Sequence, residues 1–266
     1  MDNLLKEERQ ARILEALRDN KRVTVTDLSQ RFGASEVTIR RDLAELAAEG
    51  RLIRAHRGAL ALAAAPPEPP VLQRLSLAPE SKEAIAHAAA ALVQDGDSIF
   101  IGSGSTMACF ARCLLDRRRL TVITNALNIA AELSALESDL TVVVLGGVVR
   151  PAELSLLGHI AEQTLSEVRV NRVFMGVQAL SIEGGWTTDH MPEVQTTRKI
   201  LGMSAELIVL ADHSKLGHIA AAFIAPITRL TTLITDAGAD ADFLDQLRAR
   251  GVGVIVSGNA GKQTSY

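Results

Sequence analysis

Apolar positions in the first sixty residues recur at helical spacing. Over residues 5–18, Ile13, Leu14 and Leu17 share one face, which predicts a helix. Val23-Thr24-Val25 is short and β-prone. Thr26 reads as the N-cap of a second helix ending near Phe32, followed by a tight turn at Gly33-Ala34. Ser35 reads as the cap of a third helix, Glu36 to Glu49, stopped by Gly50. Within it Ile39, Leu43, Leu46 and Ala47 form an apolar stripe. Arg41 points nearly opposite, Val37, Thr38 and Ala44 lie on the exposed side, and Arg40 is on its flank. Residues 51–60 alternate in character, as a two-stranded wing would.

The pattern breaks at ALAAAPPEPP, residues 61–70, where Pro66, Pro67, Pro69 and Pro70 are half of the chain's eight prolines. Proline fixes φ and removes an amide donor, so an extended, semi-rigid linker is expected. Beyond it, strand-like runs alternate with helical segments. The runs are Ser98–Ile101, Thr121–Thr124, Thr141–Leu145, Val173–Val177, Ile208–Ala211, Leu233–Thr235 and Val252–Val256, and the clearest helices are Lys82–Val93 and Glu193–Met203. Continuously apolar runs suit strands covered on both faces, so the fold class is α/β: an N-terminal winged helix-turn-helix, then an open, mostly parallel sheet. The expected division is residues 1–60, a Pro-rich linker at 61–78, an α/β domain at 79–256 and a disordered tail at 257–266.

Composition sharpens this division. Hydrophobic residues make up 47% of the 266, enough for a sizeable core, while the net charge of -3 conceals an asymmetry. Residues 1–60 carry 12 Lys/Arg against 10 Asp/Glu, and the remainder carries 16 against 21. That imbalance suits a nucleic-acid-facing module joined to a domain of another kind. Cys109 and Cys113 form no disulfide framework, the charged N-terminus lacks a signal-peptide core, and no apolar run reaches membrane-spanning length. A cytoplasmic protein with no membrane partner is expected.

A short helix, a glycine turn and a second helix, apolar on one side and basic on the other, are what a helix-turn-helix requires to dock in the major groove. Arg41 would read guanine through bidentate hydrogen bonds, Thr38 and Val37 would touch base edges or a thymine methyl, and Arg40, Arg54 and Arg57 would hold phosphates. Residues 12–60, and above all the run SEVTIRRDL from Ser35 to Leu43, resemble the winged helix-turn-helix of the DeoR family of bacterial repressors. The resemblance adds Ser35 to the DNA-facing set. The wing departs from the family, with Arg57-Gly58 where a Gly-Gly pair is usual.

In the second domain, Gly-Ser-Gly-Ser-Thr at residues 102–106 follows a strand and opens a helix, a place where glycines allow close approach and free amides favour an anion. It is neither a dinucleotide fingerprint nor a P-loop. Asn125, Gly146-Gly147 with Arg150, Gly176 with Gln178, and Asp212-His-Ser-Lys-Leu-Gly217 also fall at or just beyond strand ends, where open α/β sheets bind ligands. That mixture suits a polyhydroxylated anion. The segments TVITNALNIA, LGGVVRPAELSLLG, FMG, GGWTT, PEVQTTRKI and LADHSKLG resemble the C-terminal sensor domain of the same family. The resemblance implies a fold similar to ribose-5-phosphate isomerase and CoA transferases. It also implies effector contacts at Ser103, Gly104, Ser105, Thr106, Asn125, Arg150, Glu193 and Lys215. Two positions depart from the family: Gln178, and Val170-Asn171-Arg172, where the family often has aspartates.

The expected function is a DNA-binding regulator, a repressor of a sugar or polyol catabolic operon, released by a phosphorylated sugar-like metabolite and acting as a homo-oligomer, dimer or tetramer. An activator of the same architecture is the alternative sign. The enzymatic alternative, a sugar-phosphate isomerase, would need a carboxylate cluster where this chain has Gly176-Val-Gln-Ala-Leu180, so no catalytic residue is assigned. No cofactor or metal is expected: the Cys109/Cys113 pair has no further ligand nearby in sequence and reads as two small buried hydrophobes.

Overall fold

A computed structural model describes residues 5–20, 22–48, 51–55, 58–60, 63–135 and 139–258. These form two compact units: residues up to 64 with Gly217–Ile219, and residues 65–216 with 220 onward.

The first unit contains helices Lys6–Asn20, Val25–Phe32 and Glu36–Ala48. The second of these is capped by Thr24, whose hydroxyl accepts from the Asp27 amide at 3.1 Å, and not by Thr26 as the sequence suggests. Val25 is drawn into the helix because its side chain is buried there. Gly33 ends that helix at φ 64°, a left-handed conformation that glycine adopts without Cβ strain. The β-prone run becomes strand Arg22–Thr24 and pairs antiparallel with Gly58–Leu60, which also pairs with Ile53–Ala55. The wing is therefore three-stranded, because a two-stranded ribbon is marginal without a further strand. Its core gathers Ile13, Leu17, Leu28, Ile39, Leu43, Leu46 and Leu52. Beside it Arg9 and Asp42 form a buried ion pair between the first and third helices, with a second bond from Arg9 Nη2 to Asp42 Oδ1 at 3.2 Å.

The second unit is built on seven parallel strands. Their order across the sheet is Gly253–Ser257, Thr232–Asp236, Glu206–Leu210, Arg172–Gly176, Ser98–Ile101, Leu120–Thr124 and Leu140–Val144. All seven runs expected from sequence are present, shifted by a residue or two at their ends. Side chains alternate between two cores. Ile99, Ile101, Val122, Phe174, Ile208 and Leu210 pack with helices Pro79–Ala90, Ser105–Arg112 and Leu127–Ser134. Phe100, Ile123, Val173, Met175, Leu207 and Val209 pack with His159–Glu167, Val194–Leu201 and Ala241–Arg248. Burial on both faces explains why these strands read as uninterrupted apolar runs. Phe110 and Phe174 meet with ring centroids 4.6 Å apart in the first core.

Several elements differ from the sequence reading. The helix expected at Lys82–Val93 begins at Pro79, since proline is pre-organised for the first turn. Within the span expected to be linker, Val71–Arg74 is helical, Val71 is buried, and its amide donates to the Ala152 carbonyl at 2.7 Å. Ser257, expected in the tail, closes the last strand opposite Asp236, while residues 259–266 lie outside the described residues. A small antiparallel sheet, Ala179–Ser181, Gly185–Thr188 and Ala222–Ala225, and the hairpin Val148–Arg150/Ser155–Leu157 have no counterpart in the sequence reading. Their three- and four-residue strands are too short to show periodicity. Among the described residues no helix is long and apolar enough to cross a membrane.

Two substitutions separate the units energetically. Asp42→Ala removes the carboxylate from the buried Arg9 guanidinium and should destabilise the first unit by about 3 kcal/mol. Urea-induced loss of helical circular dichroism would report this, while fluorescence of Trp186, in the second unit, keeps its midpoint. Phe174→Ala should instead shift the Trp186 midpoint, at a cost of about 3–5 kcal/mol.

Candidate functional site

The third helix of the first unit divides its faces sharply. Ile39, Leu43 and Leu46 are fully buried, whereas Val37 is 76% exposed and the Arg41 side chain 81% exposed. An apolar side chain left this far in solvent has no packing role, and it sits beside the basic groups of the same face. Ser35 acts as the cap: its hydroxyl accepts the Thr38 amide at 3.1 Å and lies 2.8 Å from the Thr38 hydroxyl. Arg40 reaches Glu36 at 3.3 Å and Arg41 reaches Glu45 at 3.4 Å, both one helical turn away. Exposed pairs of this kind contribute little, so either guanidinium can exchange its carboxylate for a nucleic-acid acceptor. Arg54 lies in wing strand Ile53–Ala55, and Arg57 lies outside the described residues.

The sheet of the second unit reverses its order between Ser98–Ile101 and Arg172–Gly176: the chain builds outward on one side of Ser98–Ile101, then returns to build on the other. Neighbouring loops diverge at such a switch point and leave a crevice at the carboxyl ends of the strands. A cleft of about 300 Å³ lies there, and all eight expected effector residues line it.

Gly102 leaves the first strand with its amide on the Phe174 carbonyl at 3.0 Å; a Cβ there would lie 2.4 Å from Met175 Sδ, so any larger residue would have to push the Met175 thioether aside. Ser103 and Gly104 complete the turn, and Gly104, at φ 127°, opens helix Ser105–Arg112. Ser105 and Thr106 occupy its buried first turn, where backbone amides lack intrahelical acceptors. From the next strand, Thr124 ties its hydroxyl to the Ile101 carbonyl at 2.7 Å and orients Asn125. Asn125 is 4% exposed; its Nδ2 reaches the Leu156 carbonyl at 3.4 Å, and its Oδ1 has no hydrogen-bond partner. A buried acceptor left open at a cleft wall suits a ligand hydroxyl or amide.

The cations of the cleft are already engaged. Arg150, on the unforeseen hairpin, pairs with Glu193, which also accepts the Thr188 hydroxyl. Lys215 lies on a short 3₁₀ turn capped by Asp212, whose Oδ1 accepts the Ser214 amide at 2.9 Å, and its ammonium pairs with Glu68. Glu68 also accepts from Arg74 at 3.3 Å, and Arg74 pairs with Glu153. Lys82, also buried, donates to the carbonyls of Arg74 and Leu77. Burial pushes the Lys82 ammonium down despite the nearby Asp212 carboxylate, and pushes the Glu153 carboxyl up despite Arg74. Near the cleft His213 lies 2.8 Å from Asp236; burial pushes that carboxyl up, but hydrogen bonds from His213 outweigh it and hold it below its ordinary value.

Sequence reasoning missed Glu68, Arg74, Lys82 and Glu153. Glu68 stands among prolines read as a spacer, Arg74 and Lys82 carry no motif, and Glu153 lies inside the family-like segment LGGVVRPAELSLLG without being singled out. The Cys109/Cys113 reading also needs correction: both thiols are free and half-buried, and His87, remote in sequence, brings its Nδ1 to 3.7 Å from Cys113 Sγ. Burial pushes both thiols up, and among the described residues no group of three or more metal-ligand side chains gathers.

Comparison with known proteins agrees with this division. Residues 9–64 match the family model described as the DeoR-like helix-turn-helix domain, and residues 77–237 match that of the DeoR C terminal sensor domain. The chain is 34% identical over 253 residues to a protein described as the putative aga operon transcriptional repressor of Escherichia coli O157:H7, covering 94% of each. It is 32% identical over 252 residues to the HTH-type transcriptional regulator GlpR of Haloferax volcanii, covering 95% of this chain and 98% of that one. It is also 31% identical over 225 residues to the glycerol-3-phosphate regulon repressor of Escherichia coli K12, covering 85% of this chain and 88% of that one. Ribose 5-phosphate isomerase A of Methanocaldococcus jannaschii superposes with a TM-score of 0.37 and 23% identity over 51% of this chain and 53% of that one, a likeness too distant to bear on activity. With a family model on each unit and relatives aligned along nearly their full lengths, the chain belongs to the DeoR family of helix-turn-helix transcriptional regulators.

Proposed function

We propose that this regulator represses a sugar or polyol catabolic operon in the cytoplasm and leaves its operator when a small phosphorylated metabolite fills the cleft of the second unit. The observation that carries the reading is the convergence, at one switch-point crevice, of a Gly-Ser-Gly-Ser-Thr turn at a helix N-terminus, the open Asn125 acceptor, and Arg150 and Lys215. The turn suits phosphate, the orphan acceptor suits a hydroxyl, and the volume suits a ligand of few carbons. The names of relatives, which include a glycerol-3-phosphate regulon repressor, point the same way.

On the DNA side, Arg41, Val37 and Thr38 read base edges, while Ser35, Arg40, Arg54 and Arg57 lie near the phosphates. A symmetric oligomer would place several recognition helices on repeated half-sites. Effector binding shifts the population toward a state of lower operator affinity. A sugar-phosphate isomerase is the weaker reading: the strand end at Gly176-Val-Gln-Ala-Leu180 carries no carboxylate to serve as a general base.

Fluorescence anisotropy on the DNA upstream of the protein's own gene cluster, at fixed salt and with a panel of sugar and polyol phosphates, tests the proposal. Specific binding released by one phosphate supports it. Binding strengthened by the phosphate indicates an activator, and absence of specific binding overturns the regulator reading. In the same assay Arg41→Ala should cost about 1–3 kcal/mol of operator binding and relax specificity at the contacted base. Asn125→Leu should leave operator binding intact and weaken the releasing phosphate by about 1–3 kcal/mol, read as roughly fivefold to a hundredfold in the concentration needed.

A further inference from the structure

The cleft is electrically balanced before any ligand enters. Its lining has four cations, Arg74, Lys82, Arg150 and Lys215, and four carboxylates, Glu68, Glu153, Glu193 and Asp212. An incoming phosphate therefore meets Arg74, Arg150 and Lys215 already paired with carboxylates, and to reach any of these three its charge has to replace one. The four carboxylates are not equally replaceable. Glu153 lies in the hairpin turn, with its amide on the Arg150 carbonyl at 3.2 Å. Glu193 closes a 3₁₀ turn that runs directly into a helix, and Asp212 caps the turn that carries Lys215. Glu68 is different: it lies between Pro67 and Pro69, in the stretch 65–70 that has no regular secondary structure. The flanking prolines have no amide to donate, and Pro66, Pro67, Pro69 and Pro70 are exposed. The Glu68 side chain nevertheless reaches in, is largely buried, and holds both Lys215 and Arg74.

Resting on the phosphate-sensing reading of the cleft, we infer that Glu68 is a built-in competitor for the effector's anionic group. It occupies Lys215 in the empty protein, and an anionic effector displaces it and frees the proline segment. That segment continues from Ala64, and strand Ala63–Ala64 pairs parallel with His218–Ile219, which follow Lys215 closely, so Glu68 and Lys215 each lie on a short stretch leading to this pairing and to the chain of the DNA-binding helices. Prolines keep the stretch extended, so loss of the tether is passed along the chain rather than absorbed by local coiling. A ligand that binds only when Glu68 leaves has a built-in differential affinity for the two states, as a population shift requires. The cleft accordingly selects for anionic ligands: a neutral sugar has no charge with which to replace the carboxylate on Lys215.

The test uses the full chain with inorganic phosphate as the probe, titrated calorimetrically, and elastase as a reporter of cleavage after Ala63 and Ala64. Glu68→Gln removes the competitor and should bind phosphate about tenfold more tightly than the parent. In the parent, elastase should cut faster when phosphate is present; in Glu68→Gln it should cut at the fast rate without phosphate. Lys215→Gln should lose phosphate binding. If the parent binds phosphate and Lys215→Gln does not, yet Glu68→Gln is no tighter and elastase ignores phosphate, the competitor role is overturned and the phosphate-binding cleft stands. If neither the parent nor Glu68→Gln binds phosphate or any sugar phosphate, the reading of the cleft fails along with it. Should Glu68→Gln not fold, Glu68→Asp, which keeps the charge but shortens its reach, should move both readouts in the same direction to a smaller extent.

Discussion

The second unit depends on one constraint: a parallel sheet must bury both faces, and its chain must change direction across Ser98–Ile101. Burial on both faces dictates the two sets of alternating side chains, with Ile99 and Ile101 in one core and Phe100 in the other. The change of direction sets Ser98–Ile101 beside Arg172–Gly176, so that the loops after them part. Below the opening Gly102 lies against the Met175 thioether, with its amide on the Phe174 carbonyl. The crevice is thus a consequence of strand order, lined by residues that follow the strands and by Glu68, Arg74 and Lys82 from the chain that precedes them.

The electrostatics of that crevice follow from burial. A cation at the base of a cleft is costly without a partner, and this chain supplies a carboxylate for Arg150, for Arg74 and for Lys215. Pairing of these cations offsets the cost of burying them and sets a threshold that any competing anion must exceed. It also makes recognition a matter of exchange, in which charge and geometry have to replace what is removed. Asn125 shows the complementary situation, since its buried oxygen has no partner to lose.

The first unit meets a different demand with the same means. Its third helix has to be rigid on one face and available on the other. Three fully buried aliphatic residues and the Arg9–Asp42 pair secure the inner face, while Arg40 and Arg41 make only exposed pairs within their own helix. Weak outer pairs next to a strong inner one leave the reading face free to exchange partners without loosening the fold.

The sequence by itself determined what depends on local spacing. The seven sheet strands, the helix-turn-helix and the glycine turn at 102–104 were legible because apolar periodicity, caps and breakers act over a few residues. That the eight candidate positions share one cleft was also legible, since they fall at or beyond strand ends or at helix starts and a parallel sheet brings such positions to one end. Only the tertiary structure decided which charges meet. Glu68 and Lys215 are 147 positions apart, Arg74 and Glu153 are 79 apart, and neither pair leaves a mark in local pattern. The helix cap passed to Thr24 rather than Thr26 because burial of Val25 outweighed the local preference, and a third strand joined the wing because an isolated hairpin is too weak. Propensity acts along the chain, whereas burial and charge pairing act across it, and the chemistry of the cleft depends on the second.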